Sequence, residues 1–357
     1  MMRKQLMKAA AALSIVSLLT GYHMPEIYGA DPAGSWVIQA GTDTGNAGGP
    51  GVAGYSGGRG ESAGTDFDFV SRTVMLNNGM KMPILGIGTF SLSPAQAEES
   101  VYHALLDGYR LIDTANAYMN ERAVGRAIRR SDVPREEIFV TTKLWVNEYD
   151  DPEKAIDETL ARLDLDYVDM LLLHQPYGNY IKAYKGLEKA VKDGKVRAIG
   201  LSNFYKEKFD EIMSVATITP ALLQNETNPF YQQTEMKEYL KQYGTVLEAW
   251  YPLGGRGNTQ TLFQDPVIVE IAQAHNKSSV QVVLRWHLQA GNIAIPGSSN
   301  PDHIQENIEI FDFELSGEEM ERIRTLDTGH GKYDYEGPNQ EQEERFLSSK
   351  IDFNAQE

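Results

Sequence analysis

The chain has 357 residues, enough for one large α/β domain with extensions. A net charge of −17 argues against nucleic acid and acidic membrane surfaces as partners. There is no cysteine, which removes disulfides, thiolate catalysis and thiolate metal sites together, and no metal is expected.

Residues 1–30 open on the basic stretch MMRKQLMK, and the mostly apolar AAAALSIVSLLT follows. This is the pattern of a secretory signal, too short to span a bilayer. If it acts as one, the protein is exported, periplasmic or secreted; otherwise it is cytoplasmic. Contact with a membrane would be confined to this segment. Residues 31–69 read as a flexible linker. Of the chain's 32 glycines, 11 fall between 31 and 65, so the stretch has too little apolar surface to offset the entropy of ordering it. Its GxG spacings are composition, because no strand precedes them and no helix follows.

From residue 70 the pattern changes. TVMLNNGMKM predicts a hairpin turning at Asn78-Gly79, the favoured pair for a type I′ turn. Apolar runs then recur at 84–88, 110–112, 138–142, 168–173, 196–201, 220–224, 245–250 and 293–296, with helical periodicity between them. Ser93-Pro94 and Asp151-Pro152 read as N-cap and first-turn pairs. Eight such units over roughly 250 residues are the count and length of a (β/α)8 TIM barrel. The hairpin would close the barrel bottom. The alternative, a doubly wound open sheet, wants a Gly-rich loop after its first strand, and ILGIGTFSLS lacks one in the needed form. The barrel then spans 70–330. Residues 331–357 read as a polar, solvated tail, with Tyr333, Tyr335 and Phe346 able to fold over a pocket.

Three successive strands end on Asp113, Lys143 and His174, spaced by one βα unit each. In a barrel such positions converge on one face, and Tyr118 enters from the loop beyond the second strand. Each residue alone has a structural reading: a turn cap, a solvated strand end, a satisfied rim histidine. Four in register on one face point to chemistry. A free phenol, with a pKa of about 10, is a poor donor at neutral pH. A neighbouring cation would lower that value, and a buried lysine is tolerable only when paired. Asp113 would thus hold Lys143, Lys143 would tune Tyr118, Tyr118 would be the general acid, and His174 would orient the substrate oxygen. The set suits proton delivery to a carbonyl oxygen while hydride reaches its carbon, and the hydride requires a nicotinamide.

The stretch GYRLIDTANAYMNERAVG and the later KVRAIGLSNF resemble two signatures of the aldo-keto reductases, and the similarity runs from about residue 72 to 327. The resemblance implies that Asp113, Tyr118, Lys143 and His174 are the catalytic tetrad. It implies that Ser202, Asn203 and Gln224 bind the nicotinamide carboxamide and that Trp250 stacks on the ring. Thr89, Leu253 and Gly254 would be further cofactor contacts, with Arg256 a candidate cation in the loop over the pyrophosphate. Phe90 and Trp145, with His174, would wall the substrate pocket.

A third signature departs from the family pattern. IPGSSNPDHIQEN has Gly297 and His303 where the family typically carries lysine and arginine on the 2′-phosphate of NADP. Ser298, His303 and backbone N–H groups at the next helix start remain for that phosphate, while Glu306 and Asn307 match the adenine contacts. The expected cofactor is NADP(H), with NAD(H) competing better than is usual. Three activities compete: a carbonyl reductase, a lyase using Lys143 as a Schiff-base amine, and a cofactor-binding sensor or subunit with little turnover. A lyase needs a neutral amine, against which a paired Asp113 works. The short loop after His174 suggests an open site for small aldehydes and ketones, in a monomer.

Overall fold

The computed structural model describes residues 67–357 apart from Arg256, Asp334 and Glu336. The signal-like segment, the linker up to residue 66 and the candidate cation Arg256 lie outside the described residues. Among the described residues no helix is long and apolar enough to cross a membrane.

The fold begins earlier than residue 70. Strands β1 (Phe67–Asp68), β2 (Thr73–Met75) and β3 (Lys81–Pro83) form an antiparallel sheet. Phe67 pairs with Val74, and Asp68 Oδ1 accepts the amides of Val70 (2.9 Å) and Ser71 (3.1 Å). The Arg285 guanidinium lies 4.3 Å from the Phe69 ring centre. The linker expected through 69 gives way to ordered strand at Phe67, because the side chains of Phe67, Asp68 and Phe69 have partners that glycines lack.

The β2–β3 turn also differs from expectation. Gly79 takes φ +83°, but Asn78 is absent from the residues with positive φ, so the turn is not type I′. Gly79 N–H donates to Leu76 O and Leu76 N–H to Met80 O, enclosing three loop residues with the glycine left-handed at the third. The asparagines are occupied elsewhere. Asn77 Nδ2 donates to Pro220 O and Tyr243 O, and Asn78 Nδ2 to Arg197 O, all near the starts of later strands.

Eight parallel strands follow: β4 (Ile87–Gly88), β5 (Leu111–Asp113), β6 (Phe139–Leu144), β7 (Val168–Leu173), β8 (Val196–Ser202), β9 (Leu222–Glu226), β10 (Val246–Trp250) and β11 (Asn292–Ala294). Each pairs with the next in chain order. The two ends of the sheet meet, since Leu85 bridges Ala294 and Gly88 N–H donates to Pro296 O at 3.1 Å. Strands such as FVTTKL and VDMLLL are buried at every residue, as expected of a parallel sheet covered on both sides.

Helices fill the crossovers: α1 (Pro94–Leu106), α2 (Glu121–Arg130), α3 (Pro152–Leu163), α4 (Tyr180–Lys192), α5 (Lys206–Met213) and α6 (Thr234–Leu240). Between β10 and β11 lie α7 (Thr259–Phe263), α8 (Pro266–His275) and α9 (Ser279–Gln289); α10 (Pro301–Ile308) and α11 (Gly317–Arg324) follow. Ser93 caps α1 in a full capping box with Gln96, as its sequence predicts. Asp151 occupies the N-cap of α3 without a side-chain cap bond. Arg162 of α3 pairs with Glu121 of α2 at 2.6 Å, both fully buried, and Thr142 Oγ1 of β6 donates to Glu121 Oε1 at 2.7 Å. That cluster pins two helices to the strand carrying Lys143.

The tail is not a solvated extension. It forms α12 (Gln340–Ser348), whose Gln342 and Phe346 are buried, while Leu347 and the acids Glu341 and Glu344 are exposed. The inward face has helical spacing but only one large apolar side chain, so its sequence looks polar throughout. Phe346 packs on Trp145 (4.8 Å between ring centres), and Tyr177 OH donates to Gln342 Oε1 at 2.6 Å.

Candidate active site

At the C-terminal ends of the strands lies a cavity of about 380 Å³, lined by Asp113, Tyr118, His174, Gln224, Trp250 and Tyr335 among others. β5 ends on Asp113, and a 3₁₀ turn over Asn116–Tyr118 swings Tyr118 back above the strand ends. Met119, in the left-handed region at φ +60°, terminates that turn. Lys143 is fully buried on β6 and commits its three N–H groups to Asp113 Oδ1 (2.7 Å), Thr114 O (2.9 Å) and Tyr118 OH (3.2 Å). Asp113 Oδ2 accepts from Gln224 Nε2 at 2.8 Å. The aspartate is therefore held through both oxygens, one by an ammonium and one by an amide.

The electrostatics differ from expectation at the phenol. Burial pushes Tyr118 well above its ordinary value, with the Asp113 charge adding to the rise. Lys143 does not offset this, so Tyr118 is a protonated phenol. Burial also raises Asp113, against the charge and hydrogen bond of Lys143. His174 moves the other way: burial, then the Lys143 charge, hold it well below the usual imidazole value, and it is neutral. Its Nδ1 is buried without a hydrogen-bond partner.

Ser202, Asn203 and Gln224 come together on the cavity wall. Asn203, at φ +63°, donates from Nδ2 to His174 O (3.0 Å) and Ser202 Oγ (3.2 Å) and accepts the Trp250 indole N–H at 2.9 Å. Trp250, Leu253 and Phe90 line the same space, and Gly254 turns the loop beyond β10 with φ +83°. Phe90 packs on Tyr118 at 5.1 Å between ring centres.

Two expected contacts are placed otherwise. Thr89 is fully buried, and its hydroxyl donates back to Asp113 O at 3.1 Å; it supports the first-strand turn and does not line the cavity. Trp145 is 1% exposed, wedged between His174 (5.0 Å) and Phe346. It backs the histidine, because α12 covers the face it would otherwise present to a substrate. Ser298, His303, Glu306 and Asn307 lie beyond the cavity, on the β11–α10 loop and α10; His303 is exposed and Asn307 buried.

Tyr251 has no counterpart among the sequence expectations, whereas Tyr333 and Tyr335 of the tail fold over the cavity and line it. Tyr251 follows Trp250 with φ +49°, a conformation that breaks strand alternation and turns both aromatic residues to the cavity. Tyr333 and Tyr335 pack on Trp250 at 5.4 Å and 5.9 Å between ring centres. The backbone of this strap is fixed by Glu226 at the end of β9, which accepts the amides of Lys332 (3.0 Å) and Tyr333 (3.1 Å).

Known proteins supply a context for this geometry. Residues 84–328 match the model of the aldo/keto reductase family. The chain is 44% identical to the morphine 6-dehydrogenase of Pseudomonas putida, across 72% of this chain and 92% of that one. It is also 44% identical to the glyoxal reductase of Bacillus subtilis, across 75% and 95%. Among solved structures, an aldo-keto reductase from a deep-sea metagenome superposes with a TM-score of 0.71 at 40% identity, covering 73% of this chain and 98% of that one. A Bombyx mori aldo-keto reductase in complex with NADP gives 0.69 at 34% identity, covering 72% and 93%.

Proposed function

The chain belongs to the aldo/keto reductase family of NAD(P)H-dependent oxidoreductases, and from that premise we propose that it reduces small aldehydes and ketones to alcohols, with Tyr118 as the proton donor. The observation that carries the reading is the triple commitment of Lys143 to Asp113, Thr114 and Tyr118. It leaves no free amine for a Schiff base, and it places a cation against a phenol oxygen that must leave as phenolate. The scaffold is a (β/α)8 barrel, its N-terminal mouth plugged by the β2–β3 hairpin.

Hydrogen-bonding capacity around the cavity supports a nicotinamide. With Asn203 Nδ2 donating to Ser202 Oγ, the serine hydroxyl hydrogen stays available. Asn203 Oδ1 keeps a second lone pair beside the Trp250 bond. Gln224 has its Nε2 turned to Asp113, so its Oε1 is the free end of the amide. One donor and two acceptors complement a carboxamide, which offers one acceptor and two N–H groups. The indole of Trp250 supplies an aromatic face beside them. Asp113, Lys143 and Tyr118 are then the proton-delivery set.

Bound NAD(P)H, held by Ser202, Asn203, Gln224 and Trp250, would supply hydride for a carbonyl carbon. The carbonyl oxygen takes the Tyr118 proton, giving the alcohol, and Lys143 stabilises the phenolate left behind. Neutral His174, with Nδ1 buried and orphaned, presents Nε2–H as the second donor to that oxygen. Phe90, Tyr251, Tyr333 and Tyr335 exclude water and favour a compact carbonyl substrate. Of the relatives' names, that for glyoxal fits this space better than that for morphine. NADP(H) is the proposed cofactor, with NAD(H) competing because Gly297 and His303 stand at the phosphate positions.

The test is a screen of NADPH and NADH against short aldehydes and ketones, followed at the nicotinamide absorbance band, with Tyr118→Phe beside the parent. The variant keeps the ring and loses the acid. Its rate should fall by roughly two to four orders of magnitude with cofactor affinity nearly unchanged. Retention of most of the activity would remove Tyr118 from the mechanism.

A further inference from the structure

Glu248 is a carboxylic acid in the centre of the barrel that hydride transfer does not require. It lies on β10, directly opposite Gln224 of β9 and two residues before Trp250, and is fully buried. Its Oε1 accepts a hydrogen bond from Gln224 Nε2, while its Oε2 is buried with no partner. Gln224 Nε2 gives its other hydrogen to Asp113 Oδ2 at 2.8 Å. An unbroken line of hydrogen bonds thus runs from Glu248 through Gln224, Asp113 and Lys143 to the Tyr118 hydroxyl.

We propose that Glu248 is a positioning residue for the cofactor: by accepting the second N–H of Gln224, it locks that amide with its carbonyl oxygen turned to the nicotinamide carboxamide. An amide side chain is nearly symmetric in shape, and one hydrogen bond to Asp113 alone leaves it free to pivot. Two carboxyl acceptors on the same nitrogen remove that freedom. The cost of placing an acid in the core is limited because it keeps its proton. Burial, with the Asp113 charge next, pushes Glu248 up to about 8, against the hydrogen bond from Gln224 and the charge of Lys143. Lys143 has no N–H left to neutralise a second carboxylate. The groups that act on Glu248 are Asp113 from β5, Lys143 from β6 and Gln224 from β9, and its own charge is felt by Tyr118 from the turn after β5.

The inference rests on the reductase reading, and the experiment separates the two. Turnover of a short aldehyde by the parent tests that reading. Glu248 is tested by binding of NADP⁺ and of its 3-acetylpyridine analogue, whose methyl ketone keeps the acceptor of the carboxamide and loses both N–H donors. Dissociation constants come from quenching of tryptophan fluorescence. The parent should prefer NADP⁺ by roughly fivefold or more, the worth of about one to two net hydrogen bonds. Glu248→Leu removes the acceptor and should bring the preference down at least about threefold, with NADP⁺ weakened and the analogue unchanged. Glu248→Gln restores an acceptor to Gln224 and should restore the preference. If the leucine variant does not fold, Glu248→Asp withdraws the acceptor by one methylene and should show the same loss.

A parent-like preference in the folded leucine or aspartate variant would overturn the proposal, and so would equal weakening of both dinucleotides, which marks a packing defect. A parent that turns over aldehydes without preferring the carboxamide would overturn it while leaving the reductase reading intact. A parent that binds no dinucleotide would overturn both.

Discussion

Adding an arginine at residue 303 should raise the preference for NADPH, and adding a lysine at residue 297 should not do so cleanly. The two positions match the family's phosphate-binding cations, but they differ in the room around them. His303 is exposed on the first turn of α10, and a longer side chain there meets no wall. An exposed guanidinium facing a phosphate is worth about 1 kcal/mol after solvent screening, or roughly fivefold in affinity. NADH has no phosphate there and gains nothing. At Gly297, a Cβ would stand 2.9 Å from Gly88 O, and a Cβ on Gly88 would stand 2.8 Å from Ile295 O. The two glycines are where the sheet closes, beside the Gly88–Pro296 hydrogen bond. A lysine at 297 must therefore push the end of β4, whose next residues are Thr89 and Phe90. His303→Arg should tighten NADPH by about fivefold relative to NADH, an advantage that falls with added salt. Gly297→Lys should show a smaller gain, some weakening of both cofactors, and a lower Tm. Dissociation constants by fluorescence quenching and a thermal melt decide the matter. If Gly297→Lys alone tightened NADPH by tenfold or more at an unchanged Tm, the steric argument would be refuted; if His303→Arg changed neither cofactor, residue 303 does not face the phosphate.

The buried pair offers a sharper test of stability. Glu121→Ala leaves the fully buried Arg162 without its carboxylate and should cost about 3–5 kcal/mol in urea unfolding; a loss under about 1 kcal/mol would mean the pair is dispensable. Burial raises Glu148 to about 7 from its ordinary 4.5, against the Arg162 charge. The folded state therefore binds that proton more tightly than the unfolded chain. The resulting stability is fully present below 4.5 and is lost as pH rises through about 7. Glu148→Gln removes this dependence, so its Tm should gain on the parent's between about pH 5 and pH 8; parallel pH curves would contradict the assignment. A chain starting at residue 66 should melt above one starting at residue 70, which lacks β1 and the Phe69–Arg285 contact, and equal melting temperatures would make β1 ornamental.

Much of the architecture could be read in advance because the governing signals are local. Each apolar run contains or overlaps a strand of the parallel sheet, and Ser93 caps α1 through Gln96, three residues away. Asp113, Lys143 and His174 were found together because barrel topology turns a regular spacing along the chain into one face in space. The features that escaped depend on partners far along the chain. Asn77 and Asn78 are diverted to Pro220, Tyr243 and Arg197, which reshapes their turn. Helix α12 looks polar because its inward face is Gln342 and a single phenylalanine, and nothing local shows that Phe346 will cover Trp145. Glu248 reads as an ordinary strand residue until the fold sets it opposite Gln224. The rise in Tyr118 is hidden for a related reason, since the rings packed on the phenol, Phe90 and His174, come from other segments.

The clamp at Glu226 grips peptide N–H groups and not side chains. Recognition of that kind is indifferent to which amino acids the strap carries, provided the backbone passes through the same place. The cavity wall formed by Tyr333 and Tyr335 can therefore be exchanged with little disturbance to the proposed proton-delivery residues, which lie on β5, the turn after it and β6 and are held by their own bonds. Such a division makes the strap the natural place for substrate range to diversify, in evolution or by directed libraries, while the chemistry beneath it stays fixed.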